Sequence, residues 1–181
     1  MDRLTKKQVE FVNNQQFFFV ATAAAEGRVN VSPKGMDTLR VLDPQRLIWL
    51  NLSGSGNETA AHVLSNGRMT LMFMSISDKP LILRVYGTAS VIHPRDDSWE
   101  QLAGLFPPLG GSRQIFDLRV EHAAVSCGTG VPIMTVDAVR GDQELEPFYA
   151  AMSDDEMHDY WSRKNVTSID GYATNIFSDE G

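Results

Sequence analysis

The chain has 181 residues, a net charge of −7 and 43% hydrophobic residues, which suits one domain able to bury about 70% of the surface it exposes unfolded. An acidic balance with a pI near 5.0 argues against non-specific binding to nucleic acid or to an anionic membrane. One cysteine, Cys127, excludes an intrachain disulfide framework, and the absence of a signal-like start or a long apolar run leads us to expect a cytoplasmic chain.

Residues 5–14, TKKQVEFVNN, fit a short amphipathic helix with Thr5 as N-cap and Val9, Phe11 and Val12 buried. Strand signals follow. FFFVATAAA (17–25) is continuously apolar, as for a strand covered on both faces. EGR (26–28) is a turn, and VNVSP (29–33) alternates. TLRVL (38–42) and RLIWLNL (46–52) flank DPQ, a tight hairpin in which Pro44 favours the turn. MTLMFM (69–74), LILRVYGTASVI (81–92) and RQIFDLRVEHAAVSC (113–127) complete the series.

Helices are expected at about 57–66 and 96–105, the second capped by Asp96 or Asp97. Strands at short spacing with few helices between them predict an antiparallel barrel or sandwich, mainly β with peripheral helices. From Gly141 the character changes. Residues 141–160 hold seven Asp or Glu and no Lys or Arg, so we divide the chain into a β domain (1–140) and an acidic helical extension packed on it (141–181).

The stretch SGSGNETAAHV (53–63) carries the first chemical signal. A helix starting near Asn57 leaves first-turn N–H groups without acceptors, and these with the helix dipole favour an anion. Glycines admit close approach, and Ser53, Ser55, Asn57 and Thr59 add side-chain donors. Locally, an anion cradle and a simply capped helix are equally good readings. A positive charge is available from Lys34, in a Pro-Lys-Gly turn that a barrel would bring close. Arg84 interrupts an apolar strand and points either outward to solvent or inward to an anion. Cys127 reads as a buried inert thiol, because no base adjoins it. The four histidines lack ligand spacing, so no metal site is expected. No GxSxG element or catalytic triad is present.

Taken together, NVSPKG, GSGNETAAH, SCGTGVP and KNVTSIDG make residues 8–171 similar to the pyridoxamine 5′-phosphate oxidase-like FMN-binding split-barrel proteins. The resemblance implies a homodimer of six-stranded antiparallel split barrels, with FMN in two clefts at the interface. It assigns Lys34 to the FMN phosphate and the backbone of Val31, Ser32, Pro33, Lys34 and Gly35 to the flavin ring. It places Leu50, Asn51, Leu52, Ser53, Gly56, Asn57 and Thr59 on the other side of the cofactor. Arg84 and the SCGTG loop would approach the flavin from the same or the partner chain. Where pyridoxamine phosphate oxidases carry Arg-Lys, this chain has Glu58-Thr59, and we expect Glu58 to turn away from the phosphate. The basic Arg-x-His element that grips a vitamin B6 phosphate is absent from DYWSRKNVTSIDGY. The resemblance therefore implies an FMN-dependent oxidoreductase acting on another small molecule. The alternatives are a non-catalytic flavin store or sensor, or a split barrel holding a deazaflavin or haem.

Overall fold

The computed structural model describes residues 2–177, so the last four residues of the expected C-terminal extension lie outside the described residues. Helix α1 (Lys6–Asn13) starts on a reciprocal cap: the Thr5 hydroxyl accepts from Gln8 N–H and the Gln8 side chain accepts from Thr5 N–H. Its buried Val12 and the preceding Leu4 join the main core.

Strands β1 (Phe18–Ala23), β2 (Val29–Lys34), β3 (Leu39–Asp43), β4 (Arg46–Leu52), β5 (Arg68–Met74), β6 (Ile82–Ile92) and β7 (Ser112–Ser126) form a single sheet. Its order is β2-β1-β5-β6-β7-β4-β3, antiparallel throughout. The mainly β architecture with peripheral helices is as expected, with seven strands rather than six. All seven apolar or alternating runs of the sequence became strands.

The sheet curls. Phe18 on β1 and Trp49 on β4 stand four places apart in strand order, yet their rings meet edge to face with centroids 6.3 Å apart. Phe73 stacks on Phe18 from one side at 5.8 Å, and Phe116 stacks on Trp49 at 4.9 Å. These rings and the buried Val20, Leu47, Leu71, Leu83, Val85 and Leu118 fill the interior. Among the described residues no ladder joins the edge strands β2 and β3, so the barrel stays open. A second apolar cluster, Ile48, Leu50, Ile92, Leu102, Phe106 and Ile115, sits on the outer face beneath α3 (Trp99–Ala103). β4 is thus covered on both sides, which explains its nearly continuous apolar sequence.

Helix α2 (Glu58–Asn66) follows β4 and ends at Gly67 in the left-handed region, φ 71°. Helix α3 is shorter than its sequence suggested. Ser98 holds its cap position without a side-chain bond, whereas Asp96 accepts from His93 N–H at 2.8 Å and fixes the preceding turn instead. After β7 the chain runs without regular structure to a π-helical turn (Gly141–Leu145), α4 (Glu146–Ala150) and α5 (Asp154–Lys164). A second reciprocal cap, Ser153 with Glu156, opens α5. No helix among the described residues is long and apolar enough to cross a membrane.

Gly87 is among the glycines dictated by close approach. At the irregularity between Tyr86 and Gly87, a Cβ on Gly87 would lie 1.9 Å from Arg119 O. Gly87→Ala is therefore expected to lower stability by about 1–3 kcal/mol. Gly54→Ala, where a Cβ meets nothing within 4 Å, is expected to stay within about 0.5 kcal/mol of the parent. Urea unfolding midpoints of the two variants check both.

Candidate functional site

The loop between β4 and α2 lines a cavity of about 290 Å³. Asn51, Leu52, Ser53, Gly54, Ser55, Gly56, Asn57, Glu58 and Thr59 form one side. Asn30, Ser32 and Lys34 come from β2, and Arg113 from β7. The curl of the sheet brings these three elements together.

Arg113 reaches the loop through a local irregularity. Asn51 pairs with Gln114 and Leu52 with Ser112, so Arg113 is the extra residue on β7. Its Nη1 donates to Gly56 O at 3.1 Å. Its Nη2 donates at 2.8 Å to the Asn51 carbonyl, in the amide orientation that also lets Asn51 donate to Leu52 O. Its Nε is buried and unpartnered. The residue is 3% exposed, and burial lowers its pKa to about 10, which leaves it cationic at neutral pH.

Lys34 is the second cation. Its ammonium lies 5.2 Å from the Trp49 ring centroid. Burial, and then the charge of Arg113, lower its pKa to about 8. Among the described residues neither cation is ion-paired with a carboxylate. Two neighbouring cations without a counter-ion, Arg113 buried with an unpartnered N–H and Lys34 half-buried, fit an anion, and the N-terminus of α2 adds its first-turn N–H groups.

The C-terminal segment fixes the loop from behind. Ser53 Oγ accepts from Trp161 Nε1 at 2.7 Å and donates to Gly111 O at 2.9 Å. Asn165 Nδ2 donates to Gly54 O at 2.9 Å, and Asn57 Nδ2 donates to Asn165 O at 3.3 Å. The Glu58 carboxylate accepts from Ile169 N–H at 2.9 and 3.1 Å. Asp170 accepts from Arg28, from both its backbone N–H and its guanidinium.

Of the residues expected around a cofactor, Ser32, Lys34, Asn51, Leu52, Ser53, Gly56, Asn57 and Thr59 meet at this cavity. Their tasks differ from the expectation in part. The Ser53 hydroxyl and the Asn57 amide are engaged with protein carbonyls. Thr59 Oγ1 accepts from Asn30 Nδ2, leaving its own proton to donate. Val31 and Pro33 face outward on β2, and Gly35 stands just beyond that strand. The Leu50 side chain belongs to the outer apolar cluster.

Arg84 alternates with the buried Leu83 and Val85, so it leaves the barrel on the other face. There its Nη1 donates to Ser126 Oγ at 3.0 Å, and it does not line this cavity. Cys127 is exposed rather than buried. Bonds from Thr129 lower its pKa, because the Gly128 turn folds those donors back on the sulfur. No group of three or more potential metal ligands occurs among the described residues.

Sequence reasoning missed Arg113 and Asn30. The signal for Arg113 was a charge beside the apolar Ile115 and Phe116 at the head of a long strand, where only an internal partner or ligand makes burial tolerable.

Residues 4–127 match the family model described as pyridoxamine 5′-phosphate oxidase. The chain is 32% identical over 176 residues to the pyridoxamine 5′-phosphate oxidase family protein ustO of Aspergillus flavus, covering 87% of this chain and 70% of the relative. A solved pyridoxamine 5′-phosphate oxidase candidate of Lactobacillus delbrueckii superposes with a TM-score of 0.57 at 25% identity, covering 68% of this chain and 95% of that one. An FMN-binding protein of Syntrophomonas wolfei superposes with a TM-score of 0.50 at 14% identity, covering 66% and 84%.

The Lys34 charge gives a pH signature. Below about 8 the ammonium is present and attracts an anion; as pH rises through about 8 the charge is lost. Sulfate, whose own charge is constant there, is expected to bind more weakly at pH 9 than at pH 7, and Lys34→Met to remove that dependence. Without ligand the sign reverses. The folded pKa lies below the ordinary 10.5, so the unfolded chain holds more protons between the two values and stability rises with pH across that window. Tryptophan fluorescence follows the first effect and thermal melts the second.

Proposed function

The chain belongs to the pyridoxamine 5′-phosphate oxidase family, and on that footing we propose that it is an FMN-binding flavoprotein whose phosphate cradle is the loop at the start of α2. The observation that carries this reading is the pair of cations without carboxylate partners, the buried Arg113 and the half-buried Lys34, at an open glycine loop. Lys34 and Arg113 neutralise the phosphate, and first-turn N–H groups of α2 bind its oxygens. Thr59 donates from its hydroxyl. Glu58 stays off the phosphate because Ile169 N–H holds its carboxylate.

When bound, FMN supplies the electron-transfer chemistry. The chain's own residues hold the cofactor and set the field around it. Backbone at residues 31–35 lies along the ring, and two copies of the chain pack so that each flavin sits at their interface, with Arg84 and the loop after Cys127 near it. The protein works in the cytoplasm on a small redox substrate. That substrate is not a vitamin B6 phosphate, because the C-terminal segment lacks an Arg-x-His grip. The cavity walls offer no histidine and no free carboxylate as proton carrier, which also suits a flavin store or sensor. Turnover with a nicotinamide donor and an acceptor separates the two.

Titration with FMN and riboflavin tests the cradle directly, since riboflavin lacks the phosphate. The parent is expected to prefer FMN, and Lys34→Ala to reduce that preference by about 1–3 kcal/mol without changing riboflavin binding. A colourless protein that takes up neither flavin overturns the proposal. An unchanged preference in Lys34→Ala removes Lys34 from the site.

A further inference from the structure

A second cavity, about 650 Å³, opens beside the cradle and is walled in part by the end of α5 and the chain that follows it. Its volume is in the range of small-ligand sites.

His62, on α2, lines this cavity. It is 1% exposed, and its Nε2 has no partner. Its Nδ1 lies 3.1 Å from Thr22 Oγ1. The buried Thr22 hydroxyl has no other acceptor among the described residues, so it donates to Nδ1 and leaves the ring proton on Nε2. A buried N–H without an acceptor is costly. A ligand that brings an oxygen into the cavity relieves that cost.

The charges on the wall decide which oxygen fits. Arg163 and Lys164, in the last turn of α5, are exposed and ion-paired with no carboxylate among the described residues. Arg28 is held by Asp170, and the Glu58 carboxylate by Ile169 N–H. The local field is therefore positive although the chain carries −7 overall. It is also modest, because the last carbonyls of α5 take part of the charge of Arg163 and Lys164 and Glu58 opposes the rest. That balance suits a single negative charge rather than a phosphate dianion. Val29, Val166 and Ile169, which are 70%, 41% and 68% exposed, give the same wall an apolar part.

We propose that this cavity binds a small carboxylate with an apolar chain. The carboxylate is drawn to Arg163 and Lys164 and accepts from His62 Nε2–H, and the chain lies on Val29, Val166 and Ile169. The ligand is not a flavin and its site is not the cradle, so the proposal stands independently of the flavin reading.

The test is an NMR titration of the isotope-labelled full chain with hexanoate, read at the His62 ring nitrogens and at the amides of Val166 and Ile169. Hexanoate is expected to shift all of them with one Kd of about 1 mM or below. Hexylammonium, with the same chain and the opposite charge, is expected to bind about tenfold more weakly or not at all. The double substitution Arg163→Ala, Lys164→Ala is expected to weaken hexanoate binding about tenfold. Both side chains are exposed, so their removal leaves the packed core intact. Lys34→Met, in the cradle, is expected to change hexanoate affinity less than about twofold. No saturable binding of hexanoate, or equal binding of the two probes, overturns the proposal. Binding that leaves the His62 ring unmoved also overturns it. So does an equal loss in Lys34→Met and in the double substitution, because the carboxylate then lies in the cradle.

Discussion

Arg113 is a guanidinium buried without a carboxylate, and the architecture of the site follows from accommodating it. A buried cation costs several kcal/mol unless its donors find acceptors. Here two of its three nitrogens do, through Gly56 O and the Asn51 amide. Both acceptors exist because β4 and β7 pair closely and slip by one residue at the rim of the barrel. The slip aims Arg113 at the loop, and the loop presents a carbonyl to it. Lys34 arrives at the same place from the opposite side of the curled sheet, held over Trp49. The residual cost of two neighbouring cations is what a bound anion would offset.

The loop between β4 and α2 is glycine-rich, yet most of its polar groups are already tied. Ser53, Gly54, Asn57 and Glu58 each bond to a residue between 111 and 169. A loop held in this way does not have to order when a ligand binds, which removes an entropic penalty. The Ser53 hydroxyl and the Asn57 amide, which a sequence reading assigns to the ligand, instead build the mould. Cations and backbone N–H groups remain to face it.

Much of this was legible in the chain. Alternation and turn residues marked every strand, because each run fills one or both faces of the sheet. Thr5 as a cap, with Val9, Phe11 and Val12 as an apolar stripe, announced the first helix. The glycine loop with Lys34 pointed to an anion, because φ-permissive residues, a helix start and a cation are the elements such a site needs. Arg113 was hidden because its role depends on a one-residue slip in strand pairing, which no local pattern encodes. Arg84 shows the reverse. Its interruption of an apolar strand left both directions open, and period-two alternation next to Leu83 and Val85 sends it to the outer face. Cys127 looked buried beside glycines, and those glycines instead make a turn that leaves the thiol exposed.

The division of labour between the two parts of the chain bears on specificity. The matched family domain ends at residue 127, and it supplies both cations and the loop. Apart from Gly111 O and Arg113, the groups that brace the loop lie beyond that point, at Trp161, Asn165 and Ile169. The same segment supplies Arg163 and Lys164 beside the cradle. A common domain thus provides the cations and the loop, and a later segment braces that loop and lines the space beside it. Variation after residue 127 can therefore change ligand choice without disturbing the barrel, since α5 makes its polar contacts to the loop rather than to the apolar interior.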